Sequence, residues 1–146
     1  AVLQSGALSS GLIADGIHVH PATLRTAWQA KTGPGQIFLV SDAMAVAGSA
    51  RDSFHLEGRL IRRHQGRLTL EDGTLAGADL DLTTALGVIK DAVDAPFEQL
   101  LAAATTVPAR LIGLYGGVAG NLNGEVARNF MRLAPDLTRQ PRWLES

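Results

Sequence analysis

The stretch QIFLVSDAM, residues 36–44, constrains this chain most. Four successive apolar residues, Ile37 to Val40, stand between turn-forming neighbours with no polar alternation, as expected of a strand covered on both faces in a parallel sheet. The residues before it supply a strand and a connecting helix. Leu12, Ile13, Ile17 and Val19 read as one strand ending at His18 and His20. Pro21 supplies a first-turn signal, Leu24 and Trp28 mark one helical face to about Lys31, and Thr32, Gly33, Pro34 and Gly35 stop the helix. The order is β, α, β.

The pattern changes after Gly48. In FHLEGRLIRRHQGRLTLEDGTLAG, the glycines at 58, 66 and 73 punctuate short alternating pieces, which predicts a hairpin insertion near 54–73. Helical spacing returns at Leu82, Leu86, Ile89 and Val93. Asp94 or Ala95 before Pro96 opens another helix, with Phe97, Leu100, Leu101 and Ala104 on one face up to Pro108, and 109–114 adds a last turn. From Gly116 onward, NFMRLAPDL and QPRWL read as antiparallel strands appended to the α/β part.

Composition narrows the partners. With 46% hydrophobic residues in 146, the chain suits one soluble domain, and 13 basic against 14 acidic residues leave no electrostatic footprint for nucleic acid or an anionic membrane. There is no cysteine, hence no disulfide and no thiol chemistry. No apolar run reaches the roughly 18 residues of a spanning helix, and no signal-like segment opens the chain, so the expected location is the cytoplasm. The opening AVLQSG looks like a coronavirus main-protease site, but it runs into the first strand without a linker and reads well as natural sequence.

His18 and Asp42 each follow the apolar part of a strand. In a parallel sheet both emerge at the carboxyl edge, where α/β enzymes place their chemistry. Asp42, directly after a buried strand, is expected to be partly desolvated, an environment that tunes a carboxylate for proton transfer. Capping of the following turn is the bland alternative. His18 and His20 would share one face of a strand, so joint metal ligation is allowed, but zinc generally takes three or four protein ligands. His55 and His64 show no ligand spacing, and His20 before Pro21 suits a helix-opening or packing role.

Taken together, GLIADGIHVHP, IFLVSDAMAVAG, EDGTLAGADL and AATTVPARLIGL, in this order, resemble the carboxyl-terminal part of the N-acetylglucosamine-6-phosphate deacetylases of the amidohydrolase superfamily. The resemblance covers essentially the whole chain. It implies the last strands and helices of a (β/α)8 TIM-type barrel over 1–114, and strands of a small β-sandwich domain over 115–146. The implied activity is metal-dependent hydrolysis of N-acetylglucosamine 6-phosphate to glucosamine 6-phosphate and acetate. N-acetylgalactosamine 6-phosphate is an alternative substrate, and a non-catalytic sugar-phosphate-binding remnant an alternative function.

By the same resemblance Asp42 matches the catalytic aspartate, and His18 the histidine that contacts the phosphorylated sugar. Leu75, Ala76 and Gly77 match a loop that meets substrate. The superfamily's metal-binding HxH and its other ligands have no counterpart here, so the resemblance implies a divalent metal (zinc, with iron or manganese as alternatives) held by residues outside this chain. It also implies a fragment inactive alone and a homodimeric full-length protein. Ala78 stands in place of a usual serine, Val46 in place of a common proline, and Arg128 interrupts a usual pattern in the tail.

Overall fold

A computed structural model describes residues 1–114, 131–137 and 142–143. Strand β1 (Ser10–Ile13) and strand β2 (Ile37–Val40) pair in parallel, with Ser10 opposite Ile37 and Ile13 opposite Val40. Helix α1 (Pro21–Ala30) makes the crossover, with Pro21 in its first turn and Leu24 fully buried. Within β2, Ile37 and Leu39 are buried, while Phe38 and Val40 are half-buried. One face of β2 is therefore fully covered and the other partly.

β1 stops at Ile13, well short of the histidines expected at its end. Asp15 forms a turn instead, its Oδ1 accepting hydrogen bonds from the N–H groups of Ile17 and His18, each at 2.9 Å. A short acidic side chain followed by Gly16 favours this local closure over continued pairing. Consequently His18 and His20 do not share the face of a strand. His20 is the N-cap of α1, its Nδ1 accepting from Ala22 N–H at 3.2 Å, in keeping with a helix-opening role.

The glycine-punctuated region forms a four-stranded antiparallel meander: β3 (Ser53–Leu56), β4 (Arg59–His64), β5 (Arg67–Thr69) and β6 (Leu75–Ala78). Glu57-Gly58 and Gln65-Gly66 form its two-residue turns, and all four residues have positive φ. Positive φ at both central positions is the backbone that the right-handed twist of the flanking strands requires. The meander thus runs past residue 73, and Leu75–Gly77 lie in a strand, not a loop. Val46, Ile61 and Leu68 make a small core beneath this sheet.

Helices α2 (Leu82–Ala92) and α3 (Phe97–Ala104) pack their apolar faces with β2 and α1 around Leu24, Leu39, Leu86, Ile89 and Leu100. Asp81 caps α2, its Oδ1 accepting from Thr84 N–H at 2.7 Å, and Arg25 Nε donates to the carbonyl of Ala92 at 2.7 Å at the other end. α3 ends at Ala104, before the expected limit, because Thr105 leaves helical geometry; a separate turn, α4 (Thr106–Leu111), follows. In the tail, β7 (Met131–Arg132) pairs antiparallel with β8 (Arg142–Trp143), and Arg128 lies outside the described residues. No helix of the described residues is long and apolar enough to cross a membrane.

The first residues are tied to the unit: Lys31 Nζ donates to Ser5 O at 3.0 Å, and Gly35 N–H donates to Gly6 O. Ile89 is 0% exposed at the centre of the main core. Ile89→Ala is expected to cost about 2–5 kcal/mol of stability, whereas alanine at the exposed neighbour Lys90 should stay within about 0.5 kcal/mol. Urea denaturation of the two variants measures the contrast.

Candidate active site

Parallel pairing puts the carboxyl ends of β1 and β2 on one edge, and both candidate side chains follow from that edge: His18 five residues after Ile13, Asp42 two after Val40. The expected partial desolvation of Asp42 is not found. Asp42 is exposed, and its carboxylate makes no hydrogen bond to any described residue, so it caps no turn either. Its backbone carries the information. With φ of 50°, Asp42 adopts the left-handed conformation that side chains other than glycine, asparagine and aspartate rarely take. Glu57 and Gln65 share that conformation because hairpin turns demand it, but Asp42 belongs to no hairpin. Aspartate tolerates this conformation better than most side chains, and here the surrounding structure holds it.

The holding structure is β6. Ala78 N–H donates to the carbonyl of Asp42 at 2.9 Å, and Ala43 forms a parallel bridge with Ala78. Gly77 makes the approach possible, since a Cβ there would lie 2.5 Å from Met44 Sδ and 3.4 Å from Asp42 O. The Asp42 segment and the Leu75–Gly77 segment are therefore brought together.

His18 is held by a different device. Its Nδ1 lies 2.6 Å from Asp15 Oδ2, and the Asp15 side chain is only 5% exposed against 19% for His18. Burial alone would push the Asp15 carboxyl up. The His18 ring and the N–H groups of Ile17 and His18 outweigh it and hold the group below the ordinary aspartate value. Inspection of the sequence for single ligands passes over Asp15, although Asp-Gly two residues before Ile17 is a recognisable turn signal.

A second unanticipated residue is Arg63. Its guanidinium donates to Asp79 Oδ1 at 2.6 Å, Ser49 O at 2.7 Å, Val46 O at 3.2 Å and Arg51 O at 3.2 Å, while its Nε is buried without a partner. It ties the loop after Asp42 to β4 and to the residue just beyond β6. Period-2 alternation along β4 puts Arg63 on the inward face with Ile61, which is the available signal. Among the described residues no group of three or more histidine, aspartate or glutamate side chains is placed to hold a metal ion.

These features define an α/β unit in which a left-handed aspartate, a carboxylate-bound histidine and a glycine-mediated backbone junction follow the carboxyl edge of a parallel strand pair. No family model matches the chain. It is 30% identical over 134 residues to a putative N-acetylgalactosamine-6-phosphate deacetylase of Escherichia coli K12, covering 92% of this chain and 78% of that protein. Identity is 36% over 105 residues to the N-acetylgalactosamine-6-phosphate deacetylase of Shewanella sp. ANA-3, covering 70% of this chain and 26% of that one. The crystal structure of N-acetylglucosamine-6-phosphate deacetylase from Pasteurella multocida matches with a TM-score of 0.80 and 27% identity, over 93% of this chain and 35% of that chain. The chain belongs to the family of N-acetylgalactosamine- and N-acetylglucosamine-6-phosphate deacetylases, and it spans between a quarter and about a third of the length of the Shewanella and Pasteurella relatives.

Two outcomes test this geometry. Gly77→Ala should displace Met44 and loosen the Asp42 segment, read as faster amide hydrogen exchange at Ala78 than at Leu68. Asp15 has a depressed folded-state pKa, so its contribution to stability is present above the unfolded value near 3.8 and is lost as pH falls through the lower folded value. Acid titrations of stability should therefore show a shallower loss below that pH in Asp15→Asn than in the parent.

Proposed function

We propose that these residues are the distal part of an enzyme that hydrolyses the acetamide of an N-acetylhexosamine 6-phosphate, releasing acetate and the amino sugar phosphate. The observation that carries this reading is the agreement in sequence and fold with deacetylases of that substrate class. In the proposed reaction water attacks the acetamide carbon while the Asp42 carboxylate takes a proton from it. The C–N bond then breaks, and Asp42 passes that proton to the departing sugar amine. An exposed carboxylate without a hydrogen-bond partner among the described residues is free to meet both water and amine. His18 contacts the phosphorylated sugar, and Leu75, Ala76 and Gly77 meet substrate through backbone groups beside Asp42.

Residues 1–114 are proposed as the last part of a (β/α)8 barrel, and 115–146 as strands of a small β-sandwich. Support comes from surfaces that a closed barrel would cover: β1 has β2 as its one neighbour among the described residues, and Leu111 and Ile112 are 50% and 75% exposed. The implied divalent metal finds no fitting donor set among the described residues, so no step is derived through it. Its ligands are proposed to lie outside these 146 residues, with zinc, iron or manganese as the candidates. The fragment is accordingly inactive alone, and the full-length protein is proposed as a homodimer.

Which hexosamine is used is a second question. The names of the Shewanella and Escherichia coli relatives favour the galacto substrate, and that of the Pasteurella structure the gluco substrate. Acetate release from both sugars, by the full-length protein supplied with zinc, manganese or iron(II), decides between them. Asp42→Asn should lower turnover by roughly 10²- to 10⁴-fold. A parent inert toward both sugars with every metal would move the binding-remnant reading ahead.

A further inference from the structure

We infer that Asp15 is a positioning residue for the substrate-contacting His18: it fixes the ring's orientation and tautomer so that Nε2 is the nitrogen offered to the phosphorylated sugar. The inference rests on the reading of His18 given above and deepens it. Asp15 uses its two oxygens for separate tasks. Oδ1 accepts from the N–H groups of Ile17 and His18 and thereby shapes the turn, while Oδ2 meets His18 Nδ1 at 2.6 Å. A carboxylate only accepts, so Nδ1 must carry a proton.

Nε2 makes no hydrogen bond to any described residue. It is the ring atom left for a ligand, and His18 retains enough exposure, 19%, to present it. In the neutral ring Nε2 is an acceptor. It suits a hydroxyl of the phosphorylated sugar, which can donate to Nε2 while Nδ1 donates to Asp15. The same carboxylate therefore sets the turn, the ring plane and the acceptor character of the nitrogen facing substrate. His20 shows the contrast, since its Nδ1 accepts from Ala22 N–H and its tautomer is the opposite one.

Asp15→Asn separates the two tasks. The amide oxygen can still accept from Ile17 and His18, but the amide nitrogen then faces Nδ1 as a donor, which moves the ring proton to Nε2. Long-range proton–nitrogen NMR of full-length protein carrying labelled histidine, with His18→Gln for assignment, should show Nδ1 protonated in the parent and Nε2 protonated in Asp15→Asn. With the loss of one charge-assisted hydrogen bond, KM for the phosphorylated amino sugar should rise about tenfold with a smaller change in kcat, and Tm should fall less than in Asp15→Ala. Asp15→Ala, which removes both tasks, should lower Tm further.

An unchanged tautomer in Asp15→Asn overturns the inference, as does a rise in KM that merely follows the loss of Tm in both variants. A tautomer that flips in a protein inert toward either sugar phosphate overturns the deacetylase reading and leaves Asp15's hold on the ring standing.

Discussion

The backbone hydrogen bond from Ala78 N–H to the carbonyl of Asp42 joins two units with separate cores. On one side stand the parallel pair β1–β2 and the helices packed on it; on the other stands the antiparallel meander with its own cluster at Val46, Ile61 and Leu68. Beside it, Gly77 carries no side chain where Met44 sits. The bond also holds Asp42 in a left-handed backbone, with the carboxylate exposed and making no hydrogen bond to any described residue. Ala78 is itself buried in the main core, so the junction is packed as well as hydrogen-bonded.

Charged groups secure the edges of that junction by meeting backbone groups more than each other. Arg63 gathers the carbonyls of Val46, Ser49 and Arg51 around one guanidinium and adds Asp79, so the loop after Asp42 is pinned on both flanks. Asp15 does the converse work with a carboxylate, satisfying two N–H groups of its own turn before reaching the His18 ring. In both cases a single planar group with several hydrogen-bonding positions substitutes for regular pairing. The candidate site can therefore be irregular in backbone and still well defined.

Much of the architecture was legible from periodicity. The β2 run, the Pro21 start of α1, the α2 spacing and the glycine turns all lie where local chemistry dictates, because each depends on residues within a few positions of one another. The misses share a cause. Apolar alternation at Ile17 and Val19 predicts a β1 that reaches the histidines, and only the Asp15 turn shows that those residues follow without pairing. A position directly after a buried strand predicts partial desolvation of Asp42, yet its surroundings depend on a backbone contact with β6, more than thirty residues away.

The sequence by itself determined the class of fold, the positions of the helices and hairpin turns, and the motifs that carry the resemblance to deacetylases, since these are local patterns of side-chain type and spacing. Tertiary structure alone decided which of the marked residues meet. It coupled Asp42 to Gly77 and Ala78, gave His18 its carboxylate, and recruited Arg63 to the loop beside Asp42. Those relations depend on long-range register, and no local pattern encodes the distance at which a strand brings a backbone N–H to a particular carbonyl.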